Sequence, residues 1–265
     1  SLTFATRIKE VGLQLSYSAK TSRPSYNQLG TNVAYMNRFT RQSGNPTLKP
    51  ETLHNITLVS SWNWFTFVAN YTQTHNKIMY WNEQESTDEN ITNLRYRNFK
   101  RFPALTLSLT AAPRMGVWSP QLTLFCQKQW FDIERLGSKL DLSKPVWGIQ
   151  WDNSFEFRHD WTAEANLKLT SKGMTENAKL TRNNCTFDFS VRKAFLNNRL
   201  SVTVGVNDLF NRSANQLLLY TNNLSIDTKQ ELDSREFYVT LRYKFNTARS
   251  KYKGTGAGQS ERKRF

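Results

Sequence analysis

The sequence has no run of about 18 apolar residues, which excludes a membrane-spanning helix within its 265 residues. It does not exclude a crossing by strands, because a barrel strand is apolar only at alternate positions and average hydropathy misses it. Cysteine is scarce: Cys126 and Cys185 stand far apart, in no metal-ligand spacing. Each falls on the apolar side of an alternating segment, beside Leu122 and Leu124 or beside Phe187 and Phe189, as a small apolar residue, with a disulfide as the alternative. The 3 histidines, His54, His75 and His159, form no His-Glu-x-x-His pair and read as ordinary strand or turn residues. No Ser-His-Asp or Cys-His set can be assembled, and Asp132 and Glu134 are the nearest same-face carboxylates. The acidic run Glu83, Glu85, Asp88 and Glu89 lacks EF-hand spacing and reads as a solvated loop rather than a cation site. No catalytic residue, no metal site and no cofactor is therefore expected, and the chain is not read as an enzyme. Acidic residues are also outnumbered, 21 against 36 Lys and Arg, for a net charge of +15. The basic residues spread along the whole chain without a helix-turn-helix, zinc-finger or RNP pattern, so no nucleic-acid partner is expected. A basic pore lining, or basic loops against anionic head groups, accounts for the charge equally well.

What the sequence has in quantity is aromatic side chains and alternation. Aromatics make up 13% of the chain, with 8 Trp, 10 Tyr and 17 Phe. Period-2 patterning runs nearly throughout. Phe237, Val239, Leu241, Tyr243 and Phe245 fall on one face of a segment whose other face holds Tyr238, Thr240, Arg242 and Lys244. Such alternation describes a strand with one apolar and one wet face. Arg242 and Lys244, two positive charges on one face, suit a water-filled lumen better than a sandwich core. Strands are expected at about 2–8, 11–21, 53–62, 64–81, 91–111, 117–132, 145–158, 161–172, 180–194, 199–210 and 235–245.

The connections alternate in length. Tight turns fall near Lys9-Glu10, Asn63, Pro113, His159-Asp160 and Asn197-Asn198, and long polar connections at about 22–52, 82–90, 133–144, 173–179 and 211–234. Short turns on one side and long loops on the other characterise an outer-membrane barrel, whereas Greek-key connections in a sandwich break the alternation. The eight Trp lie mostly near strand ends, where an interfacial belt places them. Trp147 and Trp151 share a face, and alternation alone leaves open whether they meet lipid or a sugar in the lumen. The odd count of about eleven strands conflicts with even-numbered closure. With Ser at position 1 and no signal peptide before the first strand, the expectation is a fragment with strands before Ser1, unless a strand is miscounted, for instance in 29–41 or 214–226.

Three motifs stand out. Arg23-Pro24-Ser25-Tyr26 opens the first long loop, and Gly44-Asn45-Pro46-Thr47-Leu48-Lys49-Pro50-Glu51 closes it, with Gly44 and the two prolines making a rigid turn. The octet resembles the Gly-Asn-Pro-x-Leu-Lys-Pro-Glu signature in the barrels of TonB-dependent receptors, and the upstream Arg-Pro pair belongs to the same resemblance. Val206-Asn207-Asp208-Leu209-Phe210-Asn211 is similar to the Asn-x-Phe-type segment of their penultimate strand, and Phe237 to Phe245 to their aromatic-ended last strand. The basic tail, Ser250 to Gly258 and then Arg262-Lys263-Arg264, narrows the resemblance to a Bacteroidota-type outer-membrane β-barrel family.

The resemblance implies an all-β, antiparallel transmembrane β-barrel in the cell outer membrane. Residues 1–245 would be its C-terminal part, about eleven of about twenty-two strands, and residues 246–265 a basic, Gly-containing periplasmic tail. The motif residues Arg23, Pro24, Gly44, Asn45, Pro46, Leu48, Pro50, Glu51, Asn207, Asp208, Phe210, Tyr243 and Phe245 carry over as structural positions. The implied function is import of a bulky nutrient such as a siderophore, oligosaccharide or peptide, which does not name the substrate. The implied partners are outer-membrane lipid, the TonB system acting through a plug domain absent from this chain, and a surface lipoprotein. The residues leave two other readings open, a small structural or adhesive outer-membrane barrel and a soluble carbohydrate-binding β-protein. Two unpaired sheet edges predict a fragment unstable alone.

Overall fold

The computed structural model describes residues 1–84, 92–222, 224–231 and 233–245. Most of the acidic run, Glu85 to Glu89, and the 246–265 tail lie outside them. In chain order the elements are β1 (Leu2–Ile8), β2 (Val11–Ser22), a single helical turn α1 (Tyr26–Leu29), β3 (Ala34–Asn37), β4 (Thr40–Gln42), β5 (Glu51–Trp62), β6 (Phe65–Gln84), β7 (Thr92–Ala111), β8 (Trp118–Gln129), β9 (Asp132–Arg135), β10 (Ser138–Asp141), β11 (Val146–Phe157), β12 (Trp161–Thr170), β13 (Gly173–Thr175), β14 (Ala178–Leu180), β15 (Asn184–Phe195), β16 (Leu200–Asn207), β17 (Ala214–Tyr220), β18 (Ser225–Glu231) and β19 (Glu236–Tyr243).

Eleven of these form one antiparallel wall in the order β1-β2-β5-β6-β7-β8-β11-β12-β15-β16-β19. The strand count and antiparallel pairing agree with the alternation in the sequence. Strands do form within 29–41 and 214–226, but they belong to the loops and leave the wall at eleven. The hairpins at one end are closed by residues in the left-handed region, among them Lys9, Asn63, His159, Asp160, Asn197 and Asn198. Short loops need that conformation to match the strand twist, and Asn and Asp tolerate it better than other residues with a side chain.

Register aligns the apolar positions across the wall. Phe4, Leu15, Leu58, Ala69, Leu107, Cys126 and Trp147 form one continuous cross-strand row. Ala163, Val191, Val204 and Val239 form another. The opposite face carries rows such as Ser16, Thr57, Asn70, Thr106 and Gln127. The apolar face is open rather than packed: Phe237, Val239 and Leu241 are 74%, 72% and 69% exposed. A soluble sandwich would bury those side chains against a second sheet, and a bare apolar face of this extent is a surface for lipid. Trp147 and Trp151 lie on this outward face, which removes the lumen-stacking alternative. Both wall edges, β1 and β19, pair on one side only among the described residues.

The long connections are not the plain polar loops that their composition suggests. β3 and β4 form a hairpin whose second strand runs parallel to the start of β7. β9 and β10 form a second hairpin, and β13-β14-β17-β18 make a separate four-stranded sheet from two different loops. The main buried core lies here, beyond the lipid-facing wall: Met79, Trp81, Phe102, Ala104, Phe131, Ile133 and Leu142, flanked by Phe99, Leu140, Met174 and Tyr220. Trp81, expected in an interfacial belt, is only 4% exposed within it. It sits on the part of β6 that extends past the wall and meets loop side chains, where a large ring gains more from burial than at an interface.

Candidate functional site

The sequence motifs sort into clamps for the outer loops and a marker at the opposite rim. Ser25 caps α1 reciprocally with Gln28: the Gln28 amide donates to Ser25 Oγ at 3.3 Å, and the Ser25 amide donates to Gln28 Oε1 at 2.9 Å. This turn presents the Gln28 and Gly30 carbonyls to the octet, where they accept from the amides of Asn45 at 2.6 Å and Gly44 at 2.8 Å. A side chain on Gly44 would place Cβ 2.3 Å from Gly30 O and 2.7 Å from Gln28 O. Asn45 Nδ2 donates to the Tyr96 carbonyl at 2.9 Å, and the Lys49 amide donates to Asn98 Oδ1 at 2.8 Å. Leu48 is buried, and Glu51 Oε1 accepts from the Ile78 amide at 2.5 Å while lying 3.8 Å from Lys77 Nζ. Arg23, Pro46 and Pro50 are exposed and Pro24 is half-buried. The structure thus brings α1, which follows the Arg-Pro pair, and the octet together as one brace that pins the first long loop to β6 and β7.

The second motif braces the last long loop. Asp208, 3% exposed at the outer end of β16, accepts from the amides of Arg212 at 3.1 Å and Ser213 at 2.8 Å, and from the hydroxyl of Ser234. Its own amide donates to Asp188 Oδ1 at 2.8 Å. Both ends of the loop, 211–213 and 234, therefore meet on one carboxylate. Burial pushes that carboxyl up, but the donated hydrogen bonds and the charge of Arg235 hold it below its ordinary value. Asn207 Nδ2 donates to Glu236 Oε2 at 3.3 Å, and Phe210 packs on Phe187 with ring centroids 5.6 Å apart. Tyr243 and Phe245 pack edge-to-face at the far, short-turn end, with centroids 4.6 Å apart.

Two buried amides that sequence reasoning missed lock the loops to one another. Gln129 Nε2 donates to the Leu142 and Glu176 carbonyls at 2.7 Å each, and its Oε1 accepts from the Glu176 amide at 2.8 Å. Asn177 Nδ2 donates to the carbonyls of Tyr80 at 2.8 Å and Tyr220 at 2.9 Å. Nothing local in the sequence signals either role, since the partners are distant in the chain.

Between this loop assembly and the extensions of β6 and β7 lies a crevice of about 340 Å³. Ile78, Met79, Leu217 and Leu219 give it apolar walls, and Tyr80, Tyr96 and Glu176 give it polar groups. Tyr96 donates to the Tyr80 hydroxyl, which also accepts from Gln42 Nε2 at 3.1 Å. Burial first, and then the contact with Tyr80, raises the Tyr96 phenol above its ordinary range, so it stays protonated. Glu176 is held by Lys77 at 3.0 Å. An amphipathic crevice of this size suits a ring-bearing part of a small molecule.

The other polar candidates do not assemble. Tyr17 meets His54 Nδ1 at 2.8 Å, and His54 and His75 lie edge-to-face on the apolar side of the wall, while His159 occupies a turn. Asp132 is exposed and pairs with Lys139 at 3.3 Å. Among the described residues no group of three or more His, Cys, Asp or Glu side chains is placed to hold a metal ion.

Comparison with known proteins places this geometry. Solved structures with a similar fold include the siderophore receptor PirA of Pseudomonas aeruginosa, with a TM-score of 0.60 and 15% identity over 90% of this chain and 40% of the receptor. The copper transporter OprC gives a TM-score of 0.63 and 12% identity over 92% of this chain and 38% of the transporter. The outer membrane transporter YddB of Escherichia coli gives 0.52 and 11% over 89% and 39%. This chain thus spans about 40% or less of the length of these proteins, and at such identities the likeness is one of fold. No curated protein matches the sequence. The model of the outer membrane protein β-barrel family matches residues 1–243, and the chain belongs to that family of the cell outer membrane.

Proposed function

We propose that the chain supplies wall and outer mouth to a TonB-dependent receptor that imports a bulky, scarce ligand. The observation that carries this reading is the braced loop assembly: Gly44, Asp208, Gln129 and Asn177 hold four separate loops over the wall and frame the crevice at Tyr80 and Tyr96. A barrel serving only as a wall has no need to order its outer loops at this expense of conformational entropy, whereas a receptor gains affinity from a preorganised mouth. The role is capture and passage, not catalysis. A plug domain elsewhere in the parent receptor would couple it to TonB, and a surface lipoprotein would meet the outer loops. The siderophore and copper ligands of the structural relatives set the first compounds to try.

The test is uptake by whole cells. Labelled ferric siderophores, copper and oligosaccharides would be offered to wild-type cells, to cells lacking the gene and to cells lacking TonB. Loss of the same ligand in both mutant strains is the expected result. Uptake lost with the gene but unchanged without TonB, or no ligand lost at all, would overturn it.

A further inference from the structure

The outward face of the wall carries a built depression near its short-turn rim. Three cross-strand rows define it. Trp118, Phe155 and Ala163 lie nearest the rim; Pro120, Asn153 and Ala165 lie in the middle; Leu122, Trp151 and Leu167 lie beyond. The middle row is small between large neighbours, which leaves a groove of about 400 Å³ walled by Trp118, Trp151, Phe155 and Phe187. Asn153 is a polar side chain on an apolar face, yet it is buried beneath the groove. Its Oδ1 accepts from the Trp118 indole N–H at 3.0 Å, and its Nδ2 donates to the Ala165 carbonyl at 3.1 Å. The Trp118 ring also stacks on Phe155, 6.2 Å between centroids and 5° from parallel. The groove wall is therefore held in place.

One row closer to the rim, Phe157 and Trp161 are joined in register by Lys193. Lys193 is a cation on this apolar face. Its Nζ lies 5.2 Å from the Trp161 ring centroid and 5.6 Å from that of Phe195, and it donates to the His159 carbonyl. Arg158 and Arg114 are exposed on the two adjoining turns; Asp160 in the same turn and Glu156 on the polar face are the nearby carboxylates. The centre of the groove is four residues above Phe157 along β11, about 14 Å at strand rise. That lies within the periplasmic half of a hydrocarbon core about 30 Å thick.

We propose that this groove is a specific site for an anionic phospholipid of the periplasmic leaflet, with the phosphate at Lys193 and one acyl chain lying over Ala163 and Ala165. The apolar lining, the fixed rings and the basic side chain of Lys193 at the rim match a chain joined to a negative head group. Snorkelling aligns Lys193 with that head group while its stem rests on the rings. Lipopolysaccharide belongs to the opposite leaflet, where the long loops are, and does not reach the groove.

Native mass spectrometry of the protein extracted from the outer membrane in mild detergent tests this, with phosphatidylglycerol and phosphatidylcholine as probes. Wild type should retain phosphatidylglycerol in preference to phosphatidylcholine. Lys193→Gln should lower phosphatidylglycerol occupancy about fivefold, the usual attraction of one basic side chain near a membrane surface. Ala165→Leu fills the groove and should abolish retention. Ala69→Leu, on the same face but outside the groove, should leave it unchanged. Heat-modifiable migration on gels verifies that each variant is folded. Retention equal for the two lipids, retention unaffected by both groove variants, no phospholipid on wild type, or lipopolysaccharide in its place would each overturn the proposal.

Discussion

Replacing Gly44 by Ala tests whether the octet is a brace for the outer loop. Gly44 does not need glycine for its backbone angles; it needs it for space. An added Cβ meets Gly30 O at 2.3 Å, Gln28 O at 2.7 Å and Gly30 N at 2.8 Å, all of them backbone atoms that cannot rotate away. The octet must move off α1, which breaks the hydrogen bonds from the amides of Gly44 and Asn45. Those two bonds contribute about 1 kcal/mol each, and overpacking adds about 1–3 kcal/mol, so loop anchoring weakens by about 3–5 kcal/mol. At one decade per about 1.4 kcal/mol, local opening should rise roughly 100- to 4,000-fold. Hydrogen exchange read by mass spectrometry should show this at residues 43–49 and, by proteolysis, at 31–42. The β5–β6 ladder lies in the wall and should keep its protection. Wild-type exchange in the variant, or equal loosening of the wall, would refute the reasoning.

Asp208→Ala removes three donated hydrogen bonds to a charged acceptor, about 1.5 kcal/mol each, and should free both ends of the last loop in the same exchange experiment. Because the folded carboxyl is held below its ordinary value of about 4, it stabilises the loop above that pH and loses the effect as pH falls through its lower folded value; wild-type protection at Arg212 and Ser213 should fade on acidification, and the variant should show no such step. Asn177→Ala should detach the β13–β14 hairpin from β6 and β17, read as faster proteolysis of the loop sheet with unchanged heat-modifiable mobility of the wall. Val204→Arg, on the lipid face of β16, should destabilise the folded barrel in denaturant titration by about 2–4 kcal/mol, whereas neighbouring Thr203→Arg faces the polar side and should be nearly neutral. Equal effects at 203 and 204 would sink the face assignment.

The motifs were legible as motifs, but their work was not. Gly44 stood out in the sequence as a turn residue; its contact with α1 shows it as the seat of a backbone clamp. Asp208 was one letter in a family-like segment until Ser213 and Ser234, from the two ends of one loop, converged on it. Gln129 and Asn177 carried no signal, because a single buried amide is chemically ordinary until its neighbours are known. Trp81 shows the opposite error: a belt residue by position, a core residue by surroundings.

The sequence by itself determined the eleven wall strands, their antiparallel order and the end at which the short turns lie. Alternation and turn length are local properties: a strand has only two faces, and a tight hairpin sets the register of its own two strands. Tertiary structure alone decided which face is bare to lipid at Trp147 and Trp151, and that β13–β14 and β17–β18 join as one sheet. It also decided that Asn177 reaches the Tyr80 carbonyl across 97 residues of chain. Those pairings bring together loops that no local pattern connects, and only the closed set of long-range contacts selects among them.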